Sequence, residues 1–87
     1  MKAPKNQTAE VLYELLNNKA ITRRTIMIEC GILNVCARIA DLRLKHNVPI
    51  TCFYVQTKNK HNRTVRYGSW SLENKKQAKE VYLKINL

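Results

Sequence analysis

"GILNVCARIADLR", residues 31–43, decides how this chain folds. A glycine heads it, and a helical pattern follows to about His46. On a wheel at about 100° per residue, Asn34, Arg38, Asp41 and Lys45 share one narrow strip, with Ala37 beside it. Val35, Ile39 and Leu42 make the neighbouring apolar face, and Leu33, Cys36, Ala40 and Leu44 fill most of the rest. The pattern predicts a helix over about 33–46 that packs on nearly all sides and leaves only the polar strip out.

Upstream, Thr8 is placed to cap a helix with Val11, Leu12, Leu15 and Leu16 inward and Glu10, Glu14 and Asn17 opposite, ended by "NNKA" near Lys19. Thr22 caps a second, short helix, "RRTIMIEC", with Ile26, Met27 and Cys30 as its inner side. Gly31 stops it, as glycine after a helix commonly does. Downstream, Pro49 disfavours helix at the residue before it. The period then changes. "ITCFYVQT" (50–57) and "RTVRYGSWSL" (63–72) are rich in β-branched and aromatic residues, with the polar "KNKHN" between them as a hairpin tip. Thr51, Phe53 and Val55 alternate with Ile50, Cys52 and Tyr54; both sets contain large residues, so the core-facing side stays open. Ser71 with Asn74 opens a last helix, about 72–86, striped by Ala78, Val81, Tyr82 and Ile85. Trp70 is expected to pack the hairpin onto it. Residues 1–7 read as a loose basic tail and 8–87 as one α+β domain with one modest core.

Charge narrows the partner. The net charge is +10, and no acidic residue lies between Asp41 and Glu73, an interval that carries Arg43, Lys45, Lys58, Lys60, Arg63 and Arg66. Such a stretch attracts polyanions, nucleic acid above all, through phosphate contacts and counterion release. No apolar run reaches the roughly 18–20 residues of a membrane span. "MKAPKNQTAE" lacks a hydrophobic signal core, so a cytoplasmic location without membrane contact is expected.

Chemistry is scarce. Cys30, Cys36 and Cys52 form no CxxC pair, and His46 and His61 complete no zinc spacing. The cysteines read as small buried hydrophobes, with no metal and no cofactor. No nucleophile–base set, phosphate-cradling loop or paired carboxylates stand out, and Gly31 and Gly68 read as structural. The expectation is a protein that is not an enzyme.

The order is helix, short helix, glycine turn, longer helix, basic hairpin, helix. Two helices joined by a short glycine turn carry the helix-turn-helix signature. The chain resembles winged helix-turn-helix DNA-binding domains, in particular the small ones of bacteriophages and prophages. Their pattern is a glycine turn, a helix carrying A-R-I-x-D-L-R, then a hydrophobic strand. Here these are Gly31, then Ala37, Arg38, Ile39, Asp41, Leu42 and Arg43, then Ile50. The resemblance covers about residues 8–72 and leaves the final helix outside. It implies a transcriptional regulator or an excisionase-like architectural factor, working in a bacterial host cell or on its nucleoid.

Double-stranded DNA is then the expected partner, met by a recognition helix at about 33–46 and a wing at about 50–72. Asn34 suits adenine, Arg38 suits guanine, Ala37 suits close approach or a thymine methyl, and Thr25 lies near the same helix start. Arg23 and Arg24, at a helix N-terminus, suit phosphates, as does Lys45 at the far end of the recognition helix. Lys58, Lys60, His61 and Arg63 cluster at the wing tip, with Arg66 just inside. Arg43 lies off the strip and is expected to run its stem along the core and present its head at the domain edge. Blander readings stand beside these. Arg38 and Asp41 make a surface pair, Asn34 serves only the helix start, and hairpin charges protect a sheet edge. Leu83, among Lys75, Lys76 and Lys79, opens a homodimer or cooperative oligomer through residues 73–87. The rival function is a small phage protein that uses the same scaffold to bind and inhibit a host protein. Structured RNA ranks third, because the sequence suggests no exposed aromatic platform.

Overall fold

The computed structural model describes residues 3–87, so Met1 and Lys2 of the expected tail lie outside the described residues. The fold is α+β. In chain order it runs α1 (Gln7–Asn17), β1 (Ile21–Thr22), α2 (Arg23–Cys30), α3 (Val35–Leu44), β2 (Ile50–Lys58), β3 (Thr64–Leu72) and α4 (Lys75–Ile85). The strands form one antiparallel sheet in the order β1-β3-β2. β1 is an addition to the expected order. It is two residues long, too short for any pattern, and exists because Ile21 and Thr22 pair with Trp70 and Ser69.

Helix α1 is the centre of the body and touches α2, α3, α4 and β3. Its Val11, Leu12 and Leu15 meet Ile26, Ile32, Val35, Ile39, Leu42 and Tyr82 in a single core. Asn6, rather than Thr8, caps α1: its Oδ1 accepts from the Ala9 amide at 2.8 Å. The helix stops at Asn17, earlier than expected, where the side-chain amides of Asn17 and Asn18 donate to the Tyr13 and Glu14 carbonyls and satisfy the helix end. The segment before α1 is not a loose tail. Buried Asn86 grips it, accepting from the Lys5 amide at 2.7 Å and donating to the Ala3 carbonyl at 2.8 Å.

Thr22 caps α2 as expected, its Oγ1 accepting from the Thr25 amide. Gly31 turns left-handed at φ 67° and returns its N–H to the Met27 carbonyl. A side chain at Gly31 has open space but an unfavourable backbone, which is why glycine stands there. Helix α3 is shorter than expected, with Asn34 as its cap and Asn47, at φ 54°, turning the chain out ahead of Pro49. Helix α4 is capped by Asn74, and Ala78 and Tyr82 are its buried stripe. It packs on α1. Trp70 joins the core cluster that also holds Ala78 and Tyr82 of α4, and the hairpin that carries it meets α1 and β1.

The hairpin outreaches the body. Strands β2 and β3 pair without interruption from Ile50–Leu72 to Lys58–Thr64. Only Ile50 of β2 is buried. The radius of gyration is 13.5 Å, against about 12 Å for a compact chain of this length. The excess is the projecting hairpin, which stretches the long axis to 46 Å. At its tip Asn59 accepts from the His61 and Arg63 amides, and Asn62 sits left-handed at φ 63°.

Candidate nucleic-acid interface

Burial along α3 departs from the helical-wheel expectation. Val35, Ile39 and Leu42 face the core as predicted. Leu33, Cys36, Ala40 and Leu44 do not fill a packed flank, because all four are exposed. The helix lies against the body on one side only, so its apolar content overstated its burial. The middle of the polar strip, Ala37, Arg38 and Asp41, is half-buried, and its ends, Asn34 and Lys45, are exposed. Arg38 Nη2 lies 3.3 Å from Asp41 Oδ2, and Lys45 Nζ lies 3.6 Å from Asp41 Oδ1. One carboxylate is thus shared by two cations and offsets one of their two charges, and Arg38 Nε is buried without a hydrogen-bond partner among the described residues. Asn34 spends its side-chain oxygen on the Ala37 amide at 3.3 Å.

The open flank of α3 faces a groove of about 480 Å³. Cys36, Ile39, Ala40 and Arg43, at i, i+3, i+4 and i+7 on one side of the helix, form one wall. Cys52, Tyr54, Gly68 and Trp70 form the other. They share a sheet face because Cys52 pairs with Trp70 and Tyr54 with Gly68. Arg43 Nη2 donates to the Ile50 carbonyl at 2.6 Å, which fixes its guanidinium where α3 meets β2. Arg23, the first residue of α2, also lines the groove. Two arginines and no carboxylate thus face this space.

Alternation carries the same face outward to Gln56 and Arg66 and then to Lys58. The Arg66 guanidinium lies over the Tyr54 ring, 5.1 Å from its centre. Lys60, His61 and Arg63 are exposed around the tip. On the opposite sheet face Phe53 and Tyr67 are exposed among Val55 and Val65. The hairpin therefore does carry exposed aromatic rings. The sequence reading missed them because it placed such residues in a core that does not reach so far.

A second groove, of about 360 Å³, lies at the other end of α2. Glu10, Glu14 and Glu29 line it with Tyr13 and Cys30, gathering three of the six acidic side chains. Burial, then Glu14, Glu10 and Glu29, push the Cys30 thiol above its ordinary pKa of 9.0. Cys30 is half-buried as expected, whereas Cys36 and Cys52 are exposed, since neither the α3 flank nor the outer hairpin is covered. Among the described residues no group of three or more His, Cys, Asp or Glu is placed to hold a metal. No helix among them is long and apolar enough to cross a membrane.

The predicted residues thus divide. Arg23, Arg43 and Arg66 converge on the groove and its outer continuation, with Lys58 beyond them. Arg24 and Thr25 are exposed on the first turn of α2, where Thr25 Oγ1 meets Thr22 Oγ1 at 2.9 Å. Arg38 and Ala37 lie in the neighbouring polar strip, half-buried, while Asn34 and Lys45 at its ends are exposed. Leu83 is exposed on α4. The residues not foreseen are Cys36, Ala40, Cys52, Tyr54 and Gly68. The available signal was Gly68, an isolated glycine inside a strand pattern, which often marks close approach by something else. Comparison with protein-family models matches none of them to this chain, and comparison with curated proteins gives no match.

Proposed function

We propose that this chain is a winged helix-turn-helix protein that binds double-stranded DNA, as a phage-type transcriptional regulator or an excisionase-like architectural factor. One observation carries the reading. Arg23 and Arg43 line a carboxylate-free groove between α3 and a basic hairpin, while three glutamates collect at the far end of α2. The element order, with β1 joined to the hairpin sheet, supports the winged form. In this arrangement α3 enters the major groove by its open flank. Small Cys36 and Ala40, with Ala37 beside them, let the helix approach base edges closely. Arg43, held by the Ile50 carbonyl, is the favoured guanine reader in place of Arg38. Thr25 and Asn34 stand near the leading end for further base contacts. Arg23, Arg24 and Lys45 meet phosphates. Lys58, Lys60, His61, Arg63 and Arg66 lay the hairpin along the backbone or into the minor groove.

Selection from a random duplex pool, with a salt titration, tests this. Recovery of one motif is expected, with Arg43→Ala weakening it about tenfold and relaxing one base position. Steeply salt-dependent binding without a motif would favour the architectural role. Absence of binding at low salt would defeat the DNA reading. The host-protein reading would then lead, drawing on exposed Phe53 and Tyr67 on the outer face of the hairpin.

A further inference from the structure

We infer that the groove between α3 and the hairpin seats one unpaired nucleotide, its base against exposed Tyr54, beside the edge of Trp70, and its phosphate on Arg23. The preferred ligand is accordingly nucleic acid with a nucleotide out of the stack. This rests on the nucleic-acid reading above and specifies the form of the ligand.

Gly68 is the first ground. Positive φ is confined, among the described residues, to Gly31, Asn47 and Asn62, so the backbone at 68 suits any residue. Pairing runs through Tyr54–Gly68 without a bulge. A Cβ at 68 would meet only Cys52 Sγ, at an ordinary 3.9 Å. Neither turn, bulge nor packing asks for glycine at this position. Glycine nevertheless weakens a strand interior, and its usual compensation is room for a close approach. Here that room lies directly across from Tyr54.

The chemistry of the walls is the second ground. Thiols, methyl groups and rings offer little to a hydrated phosphodiester but suit the flat apolar face of a base. Tyr54 is 66% exposed and already holds the Arg66 guanidinium over its ring. Base–aromatic stacking with a flanking arginine is the recurrent way to hold an unpaired base. Arg23, on the rim of the groove, supplies the complementary charge for its phosphate. The volume of about 480 Å³ falls within the roughly 300–1,000 Å³ of small-molecule sites. A fully paired duplex keeps its bases stacked and cannot fill such a seat without extruding one.

The test compares a short fluorescein-labelled duplex with the same duplex carrying one bulged thymidine, by anisotropy on the full chain. The bulged form is expected to bind about tenfold tighter, the effect of one stacked base. It should also quench Trp70, the single tryptophan of the chain. Gly68→Leu should abolish the preference, bringing the ratio of bulged-duplex to plain-duplex affinity down to about one. Tyr54→Ala should do the same and Tyr54→Phe should restore the preference, which keeps the test decisive if the Gly68 variant folds poorly. Free thymidine monophosphate as competitor separates the sources. Selective displacement of the bulged duplex indicates that the seat also takes a free nucleotide, and no displacement indicates a nucleotide held within a strand. Equal binding of both duplexes would overturn the inference and leave the duplex reading standing. Binding of neither duplex would overturn both.

Discussion

Helix α2 begins in one groove and ends in another. Arg23, its first residue, joins Arg43 in a space without carboxylates, and Glu29 and Cys30, its last two, join Glu10 and Glu14. The helix dipole runs the same way, positive at the arginine end. A chain of net charge +10 could have been basic all over, which would serve solubility alone. Under the proposed reading, segregation would orient the molecule toward a polyanion with the α3–hairpin side leading. The comparison also separates two kinds of polar residue. Arg38 and Lys45 share the one carboxylate of Asp41, whereas no acid lines the α3–hairpin groove beside its arginines.

The sharpest way to break this contrast is to reverse one pole. Arg23→Glu with Arg43→Glu should lower duplex affinity at least about 100-fold and reduce the salt slope by about one, the share of the Arg23 phosphate contact. An unchanged slope would remove the groove from the interface. Within α3, Arg43→Ala should cost about tenfold in affinity, and Arg38→Ala less than about threefold. The reverse order, measured by the same titration, would return base reading to the Asn34–Lys45 strip. The thiols offer a smaller contrast. Cys30, with its pKa raised by burial and three glutamates, should alkylate several-fold more slowly near pH 9 than Cys36 or Cys52. Glu29→Gln should narrow that gap, as peptide mapping of the labelled protein would show. The same shift has a sign for stability. Between 9.0 and the higher folded value, the unfolded chain has lost a proton that the folded one keeps, so stability falls as pH rises there. Neutralising the other pole should do least. Glu10→Gln with Glu14→Gln should leave duplex affinity within about twofold, since these groups face away from the proposed interface.

Much of the fold was legible because local signals agreed with it. Thr22, Gly31 and Asn74 do locally what their chemistry favours, and the change of period at Ile50 marks where helices give way to strands. What was hidden depends on long-range contact. β1 exists only through its pairing with Trp70 and Ser69. The Asn6 cap belongs to a segment held by Asn86, eighty residues on. The candidate site was half legible for the same reason. Cationic residues such as Arg23 and Arg66 declare themselves by type, whereas Cys36 and Ala40 look like core until the body is seen to leave them bare. Arg38 looks free until its distance to Asp41 is known.

The most direct measurement is an amide chemical-shift map of the protein titrated with a short duplex. The account predicts shifts at Cys36–Arg43, Cys52–Tyr54 and Arg63–Gly68, with Glu10, Glu14 and Glu29 unmoved. Shifts concentrated at those glutamates, or spread evenly over the surface, would contradict it.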